Sequence, residues 1–247
     1  MTPLATIPCL GYPIFSDELE RLPRDIKMVI NTINQYSYCI AEKDPKFKQA
    51  LLASDVLLPD GVAIVAAAKW LNGSSIQKIA GADLHRFLLQ RLNEQGGACF
   101  YMGATEDTLQ KIRQRLGKEY PNIRVGSHSP PFKAEFTTQE NAAIIKAVNT
   151  FKPDVLFVGM TAPKQEKWSA QHMEALRVQG PICAIGAVFD FYAGTVTRPG
   201  RIWQRWGLEW LGRLIKEPKR MWKRYIYYGL IYGGHLIKAK INPKPRT

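Results

Sequence analysis

Asp60 sits in LLPDGVAIV, between a short apolar run and a helix-like run. A carboxylate at such a junction has two uses. It can cap the free N–H groups of the helix that follows, or it can take a proton from a substrate hydroxyl at the top of a sheet. One residue can do both. Thr32 and Asn34 close an earlier apolar run, MVINTIN (28–34). Their hydroxyl and amide suit sugar hydroxyls, and they suit ordinary turn chemistry equally well. Gly103 ends ACFYMG and opens a helix, a geometry that exposes backbone N–H groups to a phosphate. Gln165 and Glu166 follow Pro163 in GMTAPKQEKW, as surface groups or as pocket groups. Other chemistries lack their residues. No Asp-x-Asp pair follows a strand, the four histidines have no metal-ligand spacing, and neither a Walker loop nor a G-x-S-x-G elbow is present. No metal site and no cofactor are expected.

These residues need a scaffold, and the apolar pattern supplies one. Strands are expected at 28–34, 55–58, 98–103, 123–127, 154–160 and 182–190. The first runs into a polar loop at 32–37. Helices are expected from Pro45 to Ala53 with Asp44 as cap, over 62–71, from 84 to 95, around 109–116, over 138–150, and from Pro163 to about Arg177. Continuously apolar strands alternating with helices predict a parallel, Rossmann-like α/β sheet covered on both faces. Ligands of such sheets bind beyond the carboxyl ends of the strands. That places Asp60, Thr32, Asn34, Gly103, Gln165 and, in the loop at 186–195, Asp190 on one face.

The chain has 247 residues, 34 Lys+Arg against 21 Asp+Glu, and 46% hydrophobic residues, which excludes disorder as the main state. Its net charge of +13 is concentrated at one end. Residues 198–247 hold 13 of the basic groups and two acids, Glu209 and Glu217, while the preceding 197 residues are nearly neutral. Four of six tryptophans also lie there, and Trp203, Trp206 and Trp210 are spaced to share a helix face. A composition break this sharp divides the chain into a Rossmann-like domain, 1–195, and a basic helical appendage, 196–247. Cations interleaved with aromatics fit nucleic acid or an anionic membrane surface. The turn from basic KEPKRMWKRY to apolar IYYGLIYGGHLI favours the membrane. Counted from Tyr225, the apolar segment YIYYGLIYGGHLI (225–237) is 13 residues long, short of the roughly 20 needed to cross a bilayer. The first residues lack the basic stretch and small-residue cleavage pattern of a secretory leader. The four scattered cysteines offer no disulfide framework, in keeping with a cytoplasmic setting.

Several segments, in order, resemble the WecG/TagA/CpsF glycosyltransferases (glycosyltransferase family 26): 32–61, KIAGADL (78–84), FYMGATED (100–107), PDVLFVGMTAPKQEKW (153–168), AIGAVFDFYAGTVTRPG (184–200) and WGLEWLGRLIKEPKRMWKRY (206–225). The resemblance implies an inverting, metal-independent enzyme that moves N-acetylmannosamine, its uronic acid or a hexose such as glucose. The donor would be a UDP-sugar, and the acceptor a sugar linked to undecaprenyl diphosphate. It implies a peripheral position on the inner face of the cell membrane, and no nucleic-acid partner; a homo-oligomer is compatible with it. By motif, Asp60 matches the catalytic base. Thr32, Asn34 and Gln165 match pocket residues, joined by Lys78, Gly103 and Asp190 as substrate-binding candidates. Arg213, Arg220 and Lys223, with the adjacent Arg224, match the cations that hold the lipid diphosphate. Lys78 stands where the family commonly has Arg, and keeps the charge without the bidentate fork.

Overall fold

The computed structural model describes residues 3–197, 200, 203 and 209–242, apart from the side chain of Arg220. Arg220 as a lipid-diphosphate ligand, and Trp206 on a shared tryptophan face, lie outside what is described.

Six strands form one parallel sheet: β3 (Met28–Ile33), β4 (Val56–Pro59), β5 (Ala98–Gly103), β6 (Arg124–His128), β7 (Val155–Gly159) and β8 (Pro181–Ala184), in the order β4-β3-β8-β7-β5-β6. Each strand feeds both faces by alternation. On β5, Cys99 and Tyr101 pack with α4 (Gly81–Gln95), α5 (Glu106–Glu119) and α8 (Val188–Ala193). Phe100 and Met102 pack on the other face with α6 (Thr138–Phe151) and α7 (Lys164–His172). Beside these, α1 (Gln35–Ala41), α2 (Pro45–Leu52) and α3 (Val62–Asn72) surround Phe47, Leu51 and Leu57. The doubly covered α/β sheet expected from the apolar runs is the fold.

Three local readings need correction. The last strand ends at Ala184, and Asp190 sits in the first turn of α8. Gly186, at φ +48°, turns the chain out of the sheet and permits this. The loop expected at 32–37 becomes α1 from Gln35 onward, because Asn34 caps it. The helix after Pro163 stops at His172, short of Arg177. An unexpected hairpin, β1 (Thr6–Cys9) with β2 (Tyr12–Phe15), turns at Leu10-Gly11 with φ of +52° and +84°, as a two-residue primed turn requires.

The basic segment folds back onto the sheet domain as α9 (Glu209–Lys216), α10 (Pro218–Trp222), a π turn (Lys223–Tyr227) and α11 (Tyr228–Ile241). Tyr232 is buried in the same apolar cluster as Phe47 and donates its hydroxyl to the Ala63 carbonyl at 3.3 Å. His235 Nδ1 meets the Tyr38 hydroxyl at 3.1 Å, and Met221 is buried.

Candidate functional site

A cleft of about 2050 Å³ opens over the carboxyl ends of the strands. A smaller cavity of about 250 Å³ lies at their amino ends, near Arg24, Arg91 and Asp154. Two of its polar groups are committed to backbone: Asp154 accepts from the Ala98 N–H at 2.6 Å and Arg91 donates to the Leu22 carbonyl at 3.0 Å. The large cleft is where the chemistry-bearing residues converge. Thr32, Asn34, Asp60, Lys78, Gly103, Gln165 and Asp190 all line it, together with Arg213, Lys223 and Arg224 from the C-terminal segment.

Asp60 follows β4 and is held by its own backbone N–H, which donates to the Ile33 carbonyl at 2.9 Å. It does not cap the next helix: the cap position of α3 is Gly61, at φ +114°, with no side-chain hydrogen bond. The carboxyl reaches the cleft on one side and is walled by protein on the others. That burial raises it above the ordinary carboxylate range, and the Glu209 carboxylate adds to the effect. Lys78, Arg224 and a hydrogen bond from Asn34 work against the rise.

Asn34 does two jobs. Its Oδ1 accepts from the Tyr36 and Ser37 N–H groups at 3.1 and 3.0 Å, completing the cap of α1, and its amide faces Asp60. Thr32 is half-buried one turn of the strand earlier. Gly103 has a backbone reason to be glycine: its φ is +122°, and a Cβ there would lie 2.2 Å from the Gly159 carbonyl oxygen. The next N–H, of Ala104, is spent on that same carbonyl at 3.1 Å. Glu106 and Asp107 occupy the first turn of α5 behind it.

Gln165 and Glu166 are both buried, where the sequence left them open between surface and pocket. Gln165 Oε1 accepts from the Met160 N–H at 3.1 Å, and its Nε2 donates to Glu166 Oε1 at 2.9 Å. Trp168 and Ser169 are buried in the next turn of α7, so positions three and four residues earlier face inward with them. Lys167 forms an ion pair with Asp44, tying α7 to the cap of α2.

The C-terminal cations reach the cleft through aromatic rings. Arg224 lies over Tyr36 at 4.5 Å and Arg213 over Phe191 at 5.4 Å. Lys223 is exposed at the cleft margin. The sequence missed Glu209, whose charge bears on Asp60 across about 150 residues of chain. Among the described residues, no three His, Cys, Asp or Glu side chains are grouped to hold a metal ion. The arrangement sets a buried carboxyl beside cations at the mouth of a sheet.

The chain is 31% identical over 214 residues to the N-acetylglucosaminyldiphosphoundecaprenol N-acetyl-beta-D-mannosaminyltransferase of Bacillus subtilis (strain 168), covering 86% of this chain and 81% of that protein. It is 26% identical over 186 residues to the protein of the same name from Bacillus spizizenii, covering 75% and 70%. The model of the Glycosyl transferase WecG/TagA/CpsF family matches residues 7–246, which takes in both the sheet and the C-terminal helices. The chain is therefore a glycosyltransferase of the WecG/TagA/CpsF family.

Proposed function

We propose that this enzyme transfers N-acetylmannosamine from a UDP-sugar to N-acetylglucosamine linked to undecaprenyl diphosphate, with inversion and without a metal, in the synthesis of a bacterial surface or wall polymer. The observation that carries the reading is Asp60: an uncapping carboxyl on the cleft floor, flanked by Asn34, Lys78 and Arg224. The names of the Bacillus relatives narrow the donated sugar from the wider set that the family allows. Asp60 takes the proton of the acceptor hydroxyl as its oxygen attacks the anomeric carbon, and UDP leaves from the opposite side. Lys78, Arg213 and Arg224 put positive charge around the cleft, where the negative charge of the leaving diphosphate develops. Thr32, Gln165 and Asp190 line the substrate space, and Lys223 with Arg213 and Arg224 meets the lipid diphosphate.

In this reading residues 196–247 dock the 1–195 catalytic unit on the inner face of the membrane. The support is a stripe. Trp222, Ile226, Leu230, Ile237 and Ile241 are exposed and recur at helical spacing along α10, the π turn and α11. Exposed Lys219, Lys223 and Lys238 accompany them. Among the described residues no helix is long and apolar enough to cross a membrane, so the stripe would lie in the interface.

A screen of labelled UDP-sugars against a lipid-linked N-acetylglucosamine acceptor tests the reaction. Transfer of N-acetylmannosamine with inverted anomeric configuration, undiminished by EDTA, is expected. Retained configuration, a different donor, or an EDTA loss restored by magnesium would each overturn the corresponding part.

A further inference from the structure

Aromatic rings line the large cleft on several elements, and most of their faces are taken. Arg224 lies over Tyr36, Arg213 over Phe191, and Lys164 over Phe136 at 3.4 Å. Tyr228 meets Tyr36 edge to face at 5.0 Å, Trp168 is buried against His172, and Phe189 is buried in the core. Trp210 and Tyr225 differ. Among the described residues no cation lies over either ring, and their ring contact is with each other, at 6.0 Å between centroids and 61° between planes. Both are partly buried, and both line the cleft. An edge-to-face pair leaves an aromatic face clear for a further partner.

The pair belongs to the C-terminal segment, beside the cations proposed for the lipid diphosphate. Trp210 and Arg213 are three residues apart on α9 and share a face. Arg224 precedes Tyr225 in the π turn. Burial raises the Tyr225 phenol above its ordinary range; Arg213 and Arg224 oppose the rise, while Asp60 and Glu209 add to it. The ring therefore stands within the fields of both the cations and Asp60. The acceptor's covalent structure makes the same demand. Its diphosphate and its attacking hydroxyl are carried by one sugar ring, so when cations hold the first and Asp60 meets the second, that ring lies between them. A pyranose packs its C–H face on an aromatic plane while its hydroxyls stay at the rim. Phe132, 104% exposed, is open too, but it stands on the loop after β6, on no element that carries Arg213 or Arg224.

We propose that Trp210, backed by Tyr225, is the platform for the acceptor's N-acetylglucosamine ring, and that it sets the preference for a sugar-bearing lipid diphosphate over a bare one. The proposal rests on the reading of the cleft as a glycosyl-transfer site. Through α9 the same helix turn then holds the diphosphate with Arg213 and the sugar with Trp210.

Trp210→Leu keeps an apolar side chain against Tyr225 and removes the aromatic plane, while Trp210→Phe restores a smaller one. Calorimetric titration of the full chain with a short-chain polyprenyl diphosphate, with and without N-acetylglucosamine, gives two affinities. Their ratio cancels what lipid and phosphate contribute. Wild type should bind the sugar-bearing lipid about tenfold more tightly, the scale of one good aromatic contact. The Leu variant should bind the two lipids alike and hold the bare one as wild type does, with the Phe variant between. In turnover, Trp210→Leu should raise KM for the lipid-linked acceptor about tenfold and leave KM for UDP-N-acetylmannosamine within about twofold. A wild type that binds both lipids alike, a Leu variant with the wild-type ratio, or a rise confined to the donor KM would each overturn the proposal. A Leu variant that weakens both lipids equally would also overturn it, reducing Trp210 to a support for Arg213. The predicted ratio and its loss in the Leu variant, without transfer from any UDP-sugar, would uphold the subsite and reject the glycosyl-transfer reading.

Discussion

Asp60 and its neighbours carry the first set of predictions. In the proposed role of general base Asp60 acts ionised, so kcat/KM should rise with pH through its folded value, which burial and Glu209 place above the ordinary carboxylate range. Glu209→Gln removes a repelling charge and should move that acid limb to lower pH. Lys78→Met removes an attracting one and should move it to higher pH. Rate profiles between pH 4 and 7 decide this, and shifts of the same sign in both variants would contradict it. Asn34→Asp separates the two jobs of that residue. The cap of α1 survives, so urea stability should change by less than about 1 kcal/mol. A second carboxylate facing Asp60 should still cut turnover at neutral pH. At this scale the sequence was legible where a residue's type is scarce among alternatives. A lone Asp after a buried strand stands out, while the cap role fell to Gly61, which needs a backbone angle to recognise. Glu166 was ambiguous because burial depends on which face of α7 meets the sheet.

Strands and helices were legible wherever apolar residues ran continuously or with helical period, as in β5, β7, α4 and α6. The failures have local causes. At 182–190 the apolar run continues beyond Ala184, but the run belongs to two elements that Gly186 separates. Periodicity over nine residues cannot distinguish a long strand from a strand plus a helical turn. The first hairpin was hidden because Leu10 adopts a left-handed angle that leucine rarely takes. Gly103 shows how element packing is set by one residue. Gly103→Ala would drive a methyl into the Gly159 carbonyl and impose a strained φ. A loss of about 3 kcal/mol in urea unfolding is expected, from overpacking together with backbone strain. An unchanged midpoint would show that the ends of β5 and β7 separate easily.

Over the whole molecule, charge and composition located the C-terminal segment but not its place. Only the fold brings Arg213 and Arg224 to the cleft and Tyr232 into the core. The same segment turns its exposed apolar stripe outward, so one element meets the cleft and, in the proposed reading, the membrane. Replacing Trp222, Ile226 and Leu230 with Ser should release the protein from anionic vesicles in flotation while leaving the buried Tyr232 contacts intact. Duplex DNA is the control, since tight DNA binding without vesicle association would reject the membrane reading. The central claim is that Asp60 is the base of a sugar transfer onto a lipid-linked acceptor. Its most direct test is the single-turnover rate of labelled N-acetylmannosamine transfer from UDP to undecaprenyl-diphosphate-linked N-acetylglucosamine in vesicles, for wild type and Asp60→Asn side by side. A folded Asn variant with a rate lower by about 100- to 10,000-fold and unchanged vesicle binding is predicted; an Asn variant that transfers at the wild-type rate would contradict the account.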